Sequence, residues 1–120
     1  MASVLIADDS DAIRLVLKDI MDVGKYSVVG EAVNGQESIE MYSKLKPDIL
    51  LLDLAMPKKD GLTVVEEIIS VHPDAKIILI TASDNQKIIT KCLEAGAKAY
   101  ISKPFDFDNI LKVISDTLSK

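Results

Sequence analysis

A chain of 120 residues has room for one ordinary domain with a single core and not for two. Its 48% hydrophobic and 28% charged residues suit a globular protein, and no apolar run is long enough to span a membrane. The net charge of −5, with no Arg/Lys cluster interleaved with aromatics, argues against a nucleic-acid-binding face. The N-terminus lacks a basic stretch followed by an apolar one, so a cytoplasmic location is expected.

Apolar runs and amphipathic stretches alternate along the chain. The first run, residues 4–7, reads as a strand and ends at Asp8 and Asp9. A helix follows over 11–22, with Ser10 as its N-cap and Ile13, Val16, Leu17 and Ile20 on one stripe. Gly24 breaks it. Residues 28–33 form the second predicted strand and 36–45 the second helix, closed by Pro47.

The third run, 49–52, is wholly apolar and leads directly into Asp53. So apolar a run reads as a strand buried on both faces, where an unpaired charge is costly, so the carboxylate is expected at the strand's exit. A third helix over 62–71 ends near His72 and Pro73, which makes His72 a solvated helix-end residue. The fourth run, 77–80, is followed by Thr81. The helix over 85–95 carries Cys92 beside Ile88, Ile89 and Leu93, so a buried, unreactive thiol is expected. After Gly96 the fifth run, 99–101, leads to Lys103, and a last helix over 107–118 aligns Phe107, Ile110, Leu111, Ile114 and Leu118.

Five βα units whose strands look too apolar for a wet face predict a parallel sheet covered by helices on both sides. With right-handed crossovers, a doubly wound open sheet is the leading topology. Parallel strands bring the residues after each run to one edge, where the crevice of such sheets lies. Asp8, Asp9, Asp53, Thr81 and Lys103 therefore converge.

Two carboxylates about 4 Å apart repel by roughly 4 kcal/mol at an effective dielectric of about 20. Lys103 offsets one of the three negative charges, and the two that remain match a divalent cation. An all-oxygen donor set favours Mg²⁺ over zinc. Metal, carboxylate nucleophile, lysine and hydroxyl together are the parts of a phosphoryl-transfer site. Each residue also has an ordinary use: acids at a helix N-terminus, a strand-end turn, a capping hydroxyl, a surface lysine. Their convergence at one edge favours the chemical reading.

Asp8-Asp9, Asp53 within Asp53-Leu54-Ala55-Met56-Pro57-Lys58-Lys59-Asp60-Gly61, Thr81-Ala82 and Lys103-Pro104-Phe105 together resemble the response-regulator receiver domain of two-component signalling. The match spans essentially the whole chain, residues 1–120, in order and with similar spacing. The resemblance implies the flavodoxin-like, CheY-like arrangement: five parallel strands in the order 2-1-3-4-5 with five helices. It implies that Asp53 is the phosphoacceptor, served by a histidine kinase or histidine phosphotransfer protein. Asp9 and Asp53 would ligate Mg²⁺, with the Ala55 carbonyl as third protein ligand and Asp8 acting mostly through water. Lys103 would pair with the acyl phosphate, and its bond to Pro104 is expected to be cis. Thr81 would bind a phosphoryl oxygen and move inward, making room for Tyr100 and altering the face of helix 4, strand 5 and helix 5.

By the same resemblance Ile13 and Leu15 on the first helix are candidate kinase contacts, and Ala55 and Ser83 occupy positions that influence phosphoryl lifetime. If these 120 residues are the whole gene product, no output segment follows the fifth helix. Binding a downstream protein, such as a motor adaptor, a relay protein or a phosphatase, is then the expected output. Tyr100 mildly favours a chemotaxis role. A phosphorelay intermediate and a receiver excised from a larger regulator stay open. Two other function classes would each require a feature this sequence lacks. An aspartyl-phosphate phosphohydrolase needs a second acid where Ala55 stands. A flavin-type cofactor binder needs a phosphate-cradling loop where Asp8-Asp9 stands.

Overall fold

The computed structural model describes residues 1–82 and 86–119. Strands and helices alternate as β1 (Ser3–Ala7), α1 (Asp11–Val23), β2 (Ser27–Ala32), α2 (Gly35–Leu45), β3 (Ile49–Asp53), α3 (Gly61–Val71), β4 (Ile77–Ala82), α4 (Gln86–Glu94), β5 (Ala99–Lys103) and α5 (Phe107–Leu118). The strands are parallel, in the order β2-β1-β3-β4-β5. Ser83, and Asn85 at the predicted start of the fourth helix, lie outside the described residues.

Alternation along the central strands divides the core into two layers. Leu5, Leu50, Leu52, Ile77 and Leu79 pack with Val64, Val65, Ile68, Ile89 and Cys92 on the side of α3 and α4. Val4, Ile6, Ile49, Leu51, Ile78 and Ile80 pack with Leu17, Ile20, Met21, Ile110 and Ile114 of α1 and α5. Successive side chains point to opposite faces, so an unbroken apolar run supplies both layers.

The helix ends follow local chemistry. Ser10, Asn34, Asp60 and Asp106 each cap a helix by accepting a backbone N–H with the side chain. Gly96, at φ +126°, turns the chain out of α4 in a conformation that suits glycine.

Several predicted faces differ from those that form. The strands are not uniformly dry: β2 and β5 lie at the sheet edges and are only partly covered, and Val29 and Val33 are exposed. An edge strand has one neighbour, and the apolar pattern is accordingly broken by Gly30 and Glu31 in β2 and confined to 99–101 in β5, whereas 4–7, 49–52 and 77–80 are uninterrupted. Val16, Ile88 and Phe107, each placed on a buried stripe from periodicity, face outward. Arg14 and Met21 fill the space on α1 that Val16 was expected to share. Cys92 is fully buried, and burial pushes its thiol up to about 11. His72 does end α3, where it is only partly solvated: its ring lies 5.1 Å from that of Tyr42 and its Nε2 3.4 Å from Ser43 Oγ at the surface.

Candidate functional site

β1, β3, β4 and β5 deliver the predicted residues to one edge of the sheet. Asp8 follows β1 directly. Asp53, Thr81 and Lys103 belong to the strands themselves and do not lie beyond them, since the ladders run past the apolar runs: Asp53 pairs with Ile80, Thr81 with Ser102, and Ala82 with Lys103. Hydrogen bonding to neighbouring backbone extends a strand regardless of side-chain polarity.

One carboxylate oxygen from each of Asp8, Asp9 and Asp53 lies within 4.8 Å of the others. Asp8 and Asp53 are buried and Asp9 is exposed, so the cluster has two walls and a mouth. Lys103 Nζ stands 3.5 Å from both Asp8 Oδ2 and Asp53 Oδ1. The Ser10 N–H donates to Asp8 Oδ1 at 2.9 Å, and the Ala55 N–H to Asp53 Oδ1 at 3.2 Å. Thr81 is buried, while Tyr100 on β5 is 40% exposed. The Lys103–Pro104 peptide bond is cis.

Burial pushes the Asp53 pKa above its ordinary value, and the charges of Asp8 and Asp9 push the same way. The Ala55 N–H and Lys103 oppose them without cancelling the effect. A dication would reverse this balance. Three carboxylates beside one ammonium leave a net charge of about −2, and the donors are all hard oxygens. The arrangement thus suits a Mg²⁺-like ion, with the exposed Asp9 giving access.

The loop after Asp53 is held from outside. The Gly35 N–H donates to the Pro57 carbonyl at 3.1 Å, and a Cβ at Gly35 would lie 2.3 Å from the Lys59 carbonyl oxygen, so only glycine allows this approach. Lys59 also reaches both Glu67 oxygens, at 3.0 and 2.8 Å.

Periodicity missed Arg14. It is buried and donates from Nη1 to the Asp8 carbonyl at 2.7 Å, from Nε to Glu31 Oε1 at 3.0 Å, and from Nη2 to Asp11 Oδ1. One signal was available: Arg14 is the single arginine among 14 Lys and Arg residues. Where all other cations are lysines, an arginine points to a site that needs its planar fork.

Residues 4–115 match the response regulator receiver domain family. The chemotaxis protein CheY of Thermotoga maritima is 41% identical over 112 residues, covering 93% of each chain. A chain of the CheX–CheY–BeF3–Mg²⁺ complex from Borrelia burgdorferi superposes with a TM-score of 0.94 at 31% identity, covering 99% of this chain and 90% of that one. The signal receiver domain of the NarL response regulator from Mycobacterium tuberculosis does so at 0.92 and 29%, covering 98% and 96%. No helix among the described residues is long and apolar enough to cross a membrane. With β2-β1-β3-β4-β5 order and an acidic edge facing one lysine, this chain belongs to the response regulator receiver domains of two-component signalling and is CheY-like.

Proposed function

We propose that residues 1–120 act as one cytoplasmic, phosphorylation-operated switch in which Asp53 accepts a phosphoryl group from a histidine of a partner kinase or phosphotransfer protein. The observation that carries this reading is the placement of Lys103 Nζ 3.5 Å from both Asp8 and Asp53 inside a three-carboxylate cluster. Asp53 Oδ1 is engaged by the Ala55 N–H and faces Lys103, which leaves Oδ2 as the attacking atom. Its bond to phosphorus forms as the phosphorus–nitrogen bond to the donor imidazole breaks, and the imidazole leaves with the electron pair. Held by Asp9, Asp53 and the Ala55 carbonyl, with Asp8 acting through water, Mg²⁺ would neutralise charge on the transferring oxygens.

Lys103 supplies the second positive charge on those oxygens, and Thr81 offers its hydroxyl after transfer. Movement of Thr81 toward the phosphoryl group makes room for Tyr100 to turn inward, changing the α4–β5–α5 face for a downstream partner. The exposed Tyr100 and Phe107 on β5 and α5 give that face apolar contacts. The CheY relatives favour a chemotaxis-type output over a relay role. On this reading the protein modifies itself and turns over no metabolite.

Incubation with acetyl phosphate and Mg²⁺, followed by intact-mass and peptide analysis, should add one PO₃ at Asp53. Asp53→Asn protein that is labelled as efficiently, or labelling that survives EDTA, would refute the proposal. Ala55→Asn should change the rate of phosphate loss without moving the labelled site. An unchanged decay would show that the side chain at position 55 does not set the phosphoryl lifetime.

A further inference from the structure

Arg14 is a buried cation in contact with the acidic site but not with any of its carboxylates, and that combination needs a reason. Its nearest site atom is the carbonyl oxygen of Asp8, 2.7 Å from Nη1. That carbonyl belongs to the peptide joining Asp8 to Asp9. The Asp8 N–H in turn donates to the Ala32 carbonyl at the end of β2, at 3.0 Å. Arg14 is fastened to the same strand through Glu31, which also accepts from Lys18 Nζ at 3.1 Å. Both ends of the Asp8 backbone are therefore tied to β2, one by a ladder-like bond and the other through a charged fork.

We infer that Arg14 is a positioning residue for the metal site: by holding the Asp8 carbonyl it fixes the Asp8–Asp9 peptide plane and so the direction in which Asp9 leaves the backbone. Asp9 is the exposed member of the cluster, and its side chain has no hydrogen bond or ion pair among the described residues. Its orientation depends on its backbone. Asp8 differs, since the Ser10 N–H and Lys103 already hold its carboxylate. The fork geometry matters here. One planar guanidinium serves the carbonyl, Glu31 and Asp11 at once, which a lysine ammonium cannot do in the same directions. Partners one step behind the ligands typically change metal affinity by about 10- to 100-fold when removed.

The inference rests on the Mg²⁺ reading above, and the sign of the effect tests it separately. If Arg14 acted only through its charge, removing a cation beside an acidic cluster would strengthen dication binding. Positioning predicts weakening. Mg²⁺ alone should be titrated calorimetrically into the full chain at fixed ionic strength, with folding of each variant checked by urea unfolding. Arg14→Met should bind about 10-fold more weakly, Arg14→Lys should fall between it and the unaltered chain, and Lys18→Met should bind as the unaltered chain does. Should Arg14→Met not fold, Glu31→Asp, which keeps the negative charge but draws the carboxylate back from the guanidinium, should still weaken binding. Unchanged or tighter binding by folded Arg14→Met, or by Glu31→Asp in its place, would overturn the inference. An unaltered chain that binds no Mg²⁺ would overturn the metal reading itself.

Discussion

The interior of the central sheet and its carboxyl edge are built from the same strands and obey opposite rules. Along β3, Ile49 to Leu52 are fully buried among other aliphatic side chains, and each adds to stability by leaving water. One residue later, Asp53 is almost as buried but faces two more carboxylates and one lysine. The interior is a region where every neighbour agrees. The edge is held in an electrostatically unfavourable arrangement by the rest of the fold, which on the proposed reading leaves it ready for a cation and a phosphoryl group.

The widest separation of the two regions should come from function. Lys103→Met, at the edge, is expected to abolish most labelling from acetyl phosphate while the protein stays folded in buffer containing Mg²⁺, because the lost ammonium is partly exposed and makes no core contact. A variant that unfolds instead, or labels normally, would erase the distinction. Leu51→Ala, in the interior, should show the reverse: a stability loss of about 2–5 kcal/mol by urea unfolding, with labelling retained while the protein stays folded.

A smaller effect concerns pH. Burial, reinforced by Asp8 and Asp9, raises the Asp53 pKa in the folded state, so the native protein holds this proton more tightly than the unfolded chain does. The associated stability is complete below the unfolded carboxylate pKa of about 4 and is lost as pH rises through the folded value. In metal-free buffer Asp53→Asn should therefore be more stable than the unaltered protein near neutrality, by less than the Leu51→Ala loss. The gap should close in acid and shrink on adding Mg²⁺. A gap that widens in acid would contradict the sign.

The smallest stability change is expected at Leu15, 57% exposed on α1 and part of neither region. Leu15→Asp should alter stability by no more than about 0.5 kcal/mol and leave labelling by acetyl phosphate intact, yet slow transfer from a histidine kinase. Equal slowing with both donors would place the fault in the site and not in docking.

Much of this was legible in the chain alone. Unbroken apolar runs separated by amphipathic stretches specify a parallel sheet between helices, because both patterns record burial directly. The position of Asp8, Asp9, Asp53, Thr81 and Lys103 just beyond those runs brings them to one edge, since parallel strands all point the same way. Other features were decided only by packing. Whether a strand lies at the centre or the edge depends on its neighbours; Gly30 and Glu31 mark β2 as less covered, but how far β2 and β5 are exposed was set by packing. Val16, Ile88 and Phe107 had the right spacing for a buried stripe, but which of two overlapping stripes is covered depends on the element packed opposite. Arg14 looked like any cation on an amphipathic helix until Glu31 and the Asp8 carbonyl, distant in the chain, closed around it. Local order follows from side-chain pattern because burial is periodic. Partnership does not, because a hydrogen bond needs two groups that only the completed fold brings together.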